Sequence, residues 1–225
     1  MKTSLNKKIA IGFTAAVIVM TLVFLVIATI QAEQARRPSA EPAQSREVLP
    51  SAVREDSHRL DQAPSSPVTV VEFLDFECEA CGAFYPTVQD VREKYAGKIN
   101  FVVRYFPIPS HKNSINAAIA VEAAARQDSF EPMYLRMFET QTEWGEQQDS
   151  RAPLFREYAE ELGLDMAQYD ADVADPTTAA RVKSDFDDGR ELGVQSTPSF
   201  FVNDRLLELT SLDDVQLAIE EELAK

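Results

Sequence analysis

Val68-Thr69-Val70-Val71-Glu72-Phe73-Leu74-Asp75-Phe76-Glu77-Cys78-Glu79-Ala80-Cys81-Gly82 is the stretch that decides the fold. Val68, Val70, Val71, Phe73 and Leu74 form a nearly continuous β-branched and aromatic run, the pattern of a strand covered on both faces. At Cys78 the texture changes, and a helical pattern runs from about Glu79 to Tyr95 and stops at Gly97. Ile99 to Phe106 is a second strand, ended by Pro107 and Pro109. Strand, helix and strand in about 40 residues make a βαβ unit.

Cys78 and Cys81 are the chain's only cysteines. Two cysteines cannot form a multi-bridge scaffold. A structural zinc usually takes four Cys or His ligands. Only His58 and His111 could join the pair, and His58 falls in an expected linker, so no metal and no cofactor are predicted. The N-terminus of a helix carries partial positive charge and free N–H groups, which favour a thiolate. A cysteine there ionises well below the ordinary value of about 8.5. Cys78, at the strand–helix junction, is therefore the exposed nucleophile. Cys81 lies one turn on, on the same face, within bridging range, as the deeper resolving thiol. A static bridge across so short a loop would remove little chain entropy, which favours a redox pair over a structural one.

Two distant residues support that reading. Glu72 sits inside the first strand, where a carboxylate is costly unless it has a task. The task would be to take up or relay the proton of Cys81; the alternative is a strand-end carboxylate that reaches solvent. Thr197-Pro198 precedes a good strand, Ser199 to Asn203. Proline cannot donate to a sheet ladder, but at a strand start it suits a tight turn open to a cis bond. A backbone edge there could pair with an extended substrate segment.

Outward from this centre, residues 1–8 carry Lys2, Lys7 and Lys8, and Ile9 to Ile30 is free of charge. Such a helix would be about 33 Å long, enough to cross a bilayer core. Residues 9–30 are read as a transmembrane signal anchor rather than a cleaved signal peptide, with residues 1–8 as a cytoplasmic tail and the remainder outside the cell membrane. Residues 31–66 hold four prolines, much Ala, Gln and Ser and no aromatic residue, and read as a flexible linker. The folded domain is expected over 67–225, with a helical insertion at about 110–192. Its Met and aromatic stripes, and Trp144, read as core packing. His111 reads as a solvent-exposed loop histidine, with approach to the active-site surface as the alternative. Arg205 to Leu209 is the expected hairpin partner of the last long strand, and Ser211 the N-cap of the closing helix. The formal net charge is −15; residues 1–66 hold eight Lys/Arg against six Asp/Glu, so the rest carries −17. That balance argues against nucleic acid as a partner.

Phe73-Leu74-Asp75-Phe76-Glu77-Cys78-Glu79-Ala80-Cys81, followed far downstream by Thr197-Pro198-Ser199-Phe200-Phe201-Val202-Asn203, resembles the DsbA-like thiol–disulfide oxidoreductases of the thioredoxin superfamily, membrane-anchored type. The resemblance covers roughly Pro67 to the C-terminus. It implies an α/β, thioredoxin-like fold with an inserted helical domain, here preceded by one transmembrane helix. It assigns Cys78 as nucleophile, Cys81 as resolving cysteine, Glu72 as the buried acid and Thr197-Pro198 as a cis-proline loop that binds substrate. Many members have Pro or His between the cysteines, where this chain has Glu79-Ala80. Glu77 and Glu79 beside Cys78 should oppose its thiolate and make a weaker oxidant.

The expected function is an extracytoplasmic oxidase, monomeric, that exchanges the Cys78–Cys81 disulfide with cysteines of secreted or surface proteins. A quinone-linked membrane redox partner would recharge it. The alternatives are a reductase or isomerase fed by a transmembrane electron donor, and a non-catalytic thioredoxin-like binding module.

Overall fold

The computed structural model describes residues 51–225. The expected tail, membrane span and most of the linker lie outside the described residues. Among the described residues no helix is long and apolar enough to cross a membrane.

The βαβ unit forms as its sequence pattern requires. Strands β1 (His58–Asp61), β2 (Thr69–Leu74) and β3 (Asn100–Tyr105) are the first three, and helix α1 (Glu79–Lys94) joins β2 to β3. β2 and β3 run parallel, with Thr69 opposite Asn100 and Leu74 opposite Tyr105, so both strands end at the same edge. Six helices follow: α2 (Ser114–Ala125), α3 (Phe130–Glu139), α4 (Gln141–Trp144), α5 (Ala152–Glu161), α6 (Met166–Ala174) and α7 (Pro176–Glu191). The chain then returns to the sheet as β4 (Ser199–Val202) and β5 (Arg205–Leu206), and closes with α8 (Asp214–Leu223). The sheet order is β1-β3-β2-β4-β5, and every pairing except β2–β3 is antiparallel.

Side chains alternate across the sheet. Val70 and Leu74 face a core shared with Cys81, Val88 and the inserted helices, and Glu72, between them, points to the same face. Val71 and Phe73 face a smaller core with Phe106, Val194 and Phe201. In the insertion Met133, Met137 and Trp144 are fully buried, and Trp144 Nε1 donates to the Met137 carbonyl, so these stripes are packing.

Two expectations change. Residues 58–61, expected in the linker, form an edge strand, so the folded part begins upstream of Pro67. Leu60 is buried, His58 stacks on Phe130 with ring centroids 4.0 Å apart, and Arg92 Nε donates to Asp61 Oδ2 at 2.6 Å. Further upstream the buried Arg104 guanidinium donates to the Ala52 carbonyl. Second, Ser211 does not cap the last helix. The helix starts three residues later, and the Asp214 carboxylate accepts the Thr210 and Ser211 N–H groups instead.

Gly189 of α7 packs against Phe106 and Phe73 with no room for a side chain. A Cβ there would lie 2.8 Å from the Phe106 ring and 3.0 Å from that of Phe73. Both rings are buried and cannot swing aside. Gly189→Ala should therefore destabilise the domain by about 1–3 kcal/mol, read as a lower midpoint in a urea melt with an unchanged slope.

Candidate active site

The strand β2 ends at Leu74, and four residues later Cys78 caps α1 with extended backbone angles (φ −69°, ψ 119°). The Cys78 N–H donates to the Asp75 carbonyl at 3.1 Å, and its own carbonyl accepts the Gly82 N–H. The two sulfurs are not bonded to each other in this structure. The sequence reading has Cys78 exposed. It is in fact nearly covered, at 9 % relative exposure, but remains more open than Cys81 at 1 %. The Thr197–Pro198 peptide is cis. The Cys78 thiol donates to the Thr197 carbonyl at 3.4 Å, so residues 119 positions apart meet at the sulfur.

The two thiols sit in opposite electrostatic environments. The hydrogen bond from Cys81 is the largest influence on Cys78; burial opposes it, and Thr197 and the Cys81 and Ala80 N–H groups add to it. The result lowers the Cys78 pKa to about 5. The Thr197 carbonyl cannot serve a thiolate, since it only accepts. The Thr197 hydroxyl, which is buried without a partner, is the group that can donate once the thiol proton has gone. Cys81 is pushed well above its ordinary value, first by burial and then by Cys78 and Glu72. Glu72 is raised to about 8 by burial, with Arg92 pulling weakly the other way. Its Oε2 has no hydrogen-bond partner, and neither has the buried hydroxyl of Tyr134, which also feels the Glu72 charge. The structure thus brings Glu72, Cys81, Cys78 and Thr197 to one site.

Glu77 differs from the sequence reading. Its carboxylate is buried and turned toward the insertion, where it accepts the N–H of Asn113 and, at 3.1 Å, that of Glu146. Neither Glu77 nor Glu79 is among the leading influences on Cys78, whose acidity is raised rather than suppressed.

Three residues gain a place that the sequence alone did not give them. Gln141 Nε2, from α4, donates to the carbonyls of Phe76 at 2.8 Å and Cys78 at 2.9 Å. A Cβ at position 82 would meet Gln141 Oε1 at 1.9 Å, so glycine after Cys81 makes room for this clamp. Asp75 is fully buried and binds His111, which is half-buried rather than free in solvent. The only available signal was topological: parallel strands that end together bring their following loops side by side.

An open groove of about 540 Å³ runs beside the start of α1, bordered by Glu79, Ala83, Phe138, Thr142 and Glu146. A second open pocket, between β5 and α8, is lined by Arg205, Leu207 and Leu217, away from the cysteines. Among the described residues no group of three or more His, Cys, Asp or Glu is arranged to hold a metal ion.

Residues 63–221 match the family described as thioredoxin. The chain belongs to the thioredoxin family. Its fold is DsbA-like. A thioredoxin-like oxidoreductase from Silicibacter pomeroyi DSS-3 superposes with a TM-score of 0.65 at 26% identity, over 76% of this chain and 95% of that one. Oxidised BdbD from Bacillus subtilis superposes at 0.66 and 24% identity, over 75% and 94%, a likeness of fold. The Na(+)/H(+) antiporter NhaA 1 of Mycobacterium sp. (strain KMS) is 35% identical over 145 residues, which are 62% of this chain and 22% of that protein. The chain thus spans less than a quarter of the length of that curated relative.

Glu72 gives a signed pH dependence. Between the ordinary value of 4.5 and about 8 the folded state holds a proton that the unfolded state releases. Stability therefore falls as pH rises through that window and levels off above it. Glu72→Gln removes this slope. Denaturant melts should show the variant more stable than the parent at pH 8, with the gap closing toward pH 5; a gap independent of pH would refute the assignment.

Proposed function

We propose that the protein is a membrane-anchored, extracytoplasmic thiol–disulfide oxidoreductase that works as an oxidase. The observation that carries this is the opposite displacement of the two thiols, Cys78 to about 5 and Cys81 upward. A stabilised thiolate favours the reduced protein, and a protein with a favoured reduced state is a strong oxidant. The likeness to a thioredoxin-like oxidoreductase at 26% identity agrees with thiol–disulfide chemistry.

The cycle begins with the Cys78–Cys81 disulfide. A substrate thiolate attacks Cys78 Sγ, forms a mixed disulfide and expels Cys81 as a thiolate. Cys81 takes a proton, and Glu72, protonated near neutral pH, is the group on its face of the sheet that can supply one through water. The second substrate thiolate then attacks the substrate sulfur and releases Cys78 as a thiolate. Two electrons pass to the protein. Of the two substrate protons, released to solvent as the thiols ionise, one returns to Glu72 in place of the proton it gave to Cys81 and the other stays in solvent. The Thr197-Pro198 loop, against Cys78, is the site for an extended substrate segment. The substrates are cysteine-containing proteins outside the membrane. A quinone-linked membrane partner restores the disulfide, and the protein acts as a monomer held by its residues 9–30.

Three measurements test this. Cys81→Ala should accumulate mixed disulfides with extracytoplasmic proteins, and Cys78→Ser should abolish them. The parent pair should be mostly disulfide in cells; a mostly dithiol pair would make the protein a reductase. Against glutathione, the potential should be more oxidising than the roughly −200 to −230 mV of glutaredoxins.

A further inference from the structure

Asp75 and His111 form a pair that the cycle above leaves unused. Asp75 follows β2 and has no exposed side-chain surface. Its Oδ1 accepts the Glu77 N–H at 2.9 Å, and its Oδ2 accepts the Ile108 N–H at 2.9 Å and His111 Nδ1–H at 2.7 Å. Its carbonyl accepts the Cys78 N–H. One residue therefore grips both the backbone of the nucleophile and the imidazole ring. The ring is also fixed from its own loop: the His111 N–H donates to the Ile108 carbonyl at 3.0 Å, and Ser114 Oγ donates to the His111 carbonyl. With Nδ1–H committed to a carboxylate, Nε2 is the nitrogen that gains or loses a proton to solvent.

We propose that His111, held by Asp75, is the cationic partner of the active-site sulfur: from across the β2–α1 junction its imidazolium stabilises the thiolate that Cys78 becomes when the mixed disulfide is resolved. Asp75 is the positioning residue. The chain has Glu79-Ala80 between its cysteines and so no cation there, and His111 supplies one from the loop after β3.

The surroundings set the working range. The charged and titratable groups that face His111 are Asp75, Glu77 and Cys78 of the junction; Lys112 is its neighbour in the chain. Burial disfavours the imidazolium, but the Asp75 hydrogen bond and the charges of Asp75, Cys78 and Glu77 outweigh it and raise His111 above 6.5. Asp75, raised by burial to about 6, is ionised above that pH. Between the two values the pair is carboxylate and imidazolium together. Below about 6, Asp75 takes up a proton and its hold on the ring weakens.

The inference rests on the thiolate chemistry proposed above, and linkage makes it testable without substrate. If the imidazolium lowers the Cys78 pKa, the thiolate must raise the His111 pKa by the same amount. The chain has only two histidines, and His58, bound to Glu122 and stacked on Phe130, is an internal control. The full-length chain in detergent micelles, labelled at histidine with nitrogen-15, would be titrated by NMR in its disulfide and dithiol forms. His111 should titrate about half a pH unit or more higher in the dithiol form, with His58 unmoved; equal His111 midpoints in the two forms would overturn the proposal. In His111→Asn, whose side-chain amide places a donor where Nδ1 meets Asp75 and carries no charge, the thiolate absorbance of Cys78 should titrate higher by the same amount. The glutathione equilibrium should move about threefold toward the disulfide. A folded variant with an unchanged Cys78 titration would also overturn it, and if the variant does not fold the two-state NMR titration of the parent decides. A dithiol pair in cells would sink the oxidase assignment and leave these titrations untouched.

Discussion

The side chain of Asp75 ties the site to the sheet. Parallel pairing of β2 with β3 brings both strands to an end at one edge, with Leu74 opposite Tyr105. The chain then leaves that edge twice, once toward Cys78 and once toward His111. A buried carboxylate between the two exits takes an N–H from each, from Glu77 and from Ile108, and adds the imidazole. Burying a carboxylate is expensive, and it is tolerated only when its lone pairs are filled. Asp75 meets that condition with three donors, and in meeting it fixes the turn that puts Cys78 at the N-cap of α1. Without this stitch the N-terminus of α1 would still carry its dipole, but the turn that holds the sulfur in its field would lose its tie to the loop after β3.

That local arrangement outweighs the charge of the whole domain. Residues 67–225 carry −17, which taken alone disfavours an anion on the surface. Screening at physiological salt limits most of that charge to about 8 Å. Inside that range Cys78 has hydrogen bonds from Cys81 and from backbone N–H groups, and these outweigh the burial that opposes them. Charge-assisted hydrogen bonds are roughly twice as strong as neutral ones. On the inner side of the pair the logic reverses. Cys81 and Glu72 lie in the core with few donors, so both favour their protonated forms. A distance of one helical turn separates a sulfur that sheds its proton from one that keeps it.

Sequence reading reached the parts of this that are local. A strand of apolar residues, a cysteine at its end and a helix after it pointed to the βαβ unit and to Cys78 lying shallower than Cys81. Glu72 stood out because a carboxylate interrupts an apolar run, and Pro198 because it opens a strand it cannot fully join. What escaped was set by pairing at a distance. His58–Asp61 is four residues long with only Leu60 well buried, and its strand character comes from the edge of β3 some forty residues away. Asp75 and His111 are 36 positions apart, and nothing in either neighbourhood announces the other. Glu77 was misread for a related reason. A glutamate next to a cysteine in sequence suggests a charge next to the sulfur, but side chains at a turn diverge, and this one found backbone donors in the insertion.

The insertion therefore acts on Cys78 through the backbone. Gln141 holds the carbonyls of Phe76 and Cys78, and Glu77 takes the N–H groups of Asn113 and Glu146, so four hydrogen bonds cross from the inserted helices to the segment 76–78. All lie in buried or half-buried surroundings, where leaving a polar group unpaired costs about 1–3 kcal/mol each. Moving the insertion away from the sheet would break them together and release the turn that aims Cys78. The groove beside α1 is bounded by these same pieces, with Glu79 and Ala83 on one side and Phe138, Thr142 and Glu146 on the other. A polypeptide lying in it would touch α1 and the insertion at once. Any force it applied to α4 would reach the Cys78 carbonyl through the side chain of Gln141, for which Gly82 leaves the room.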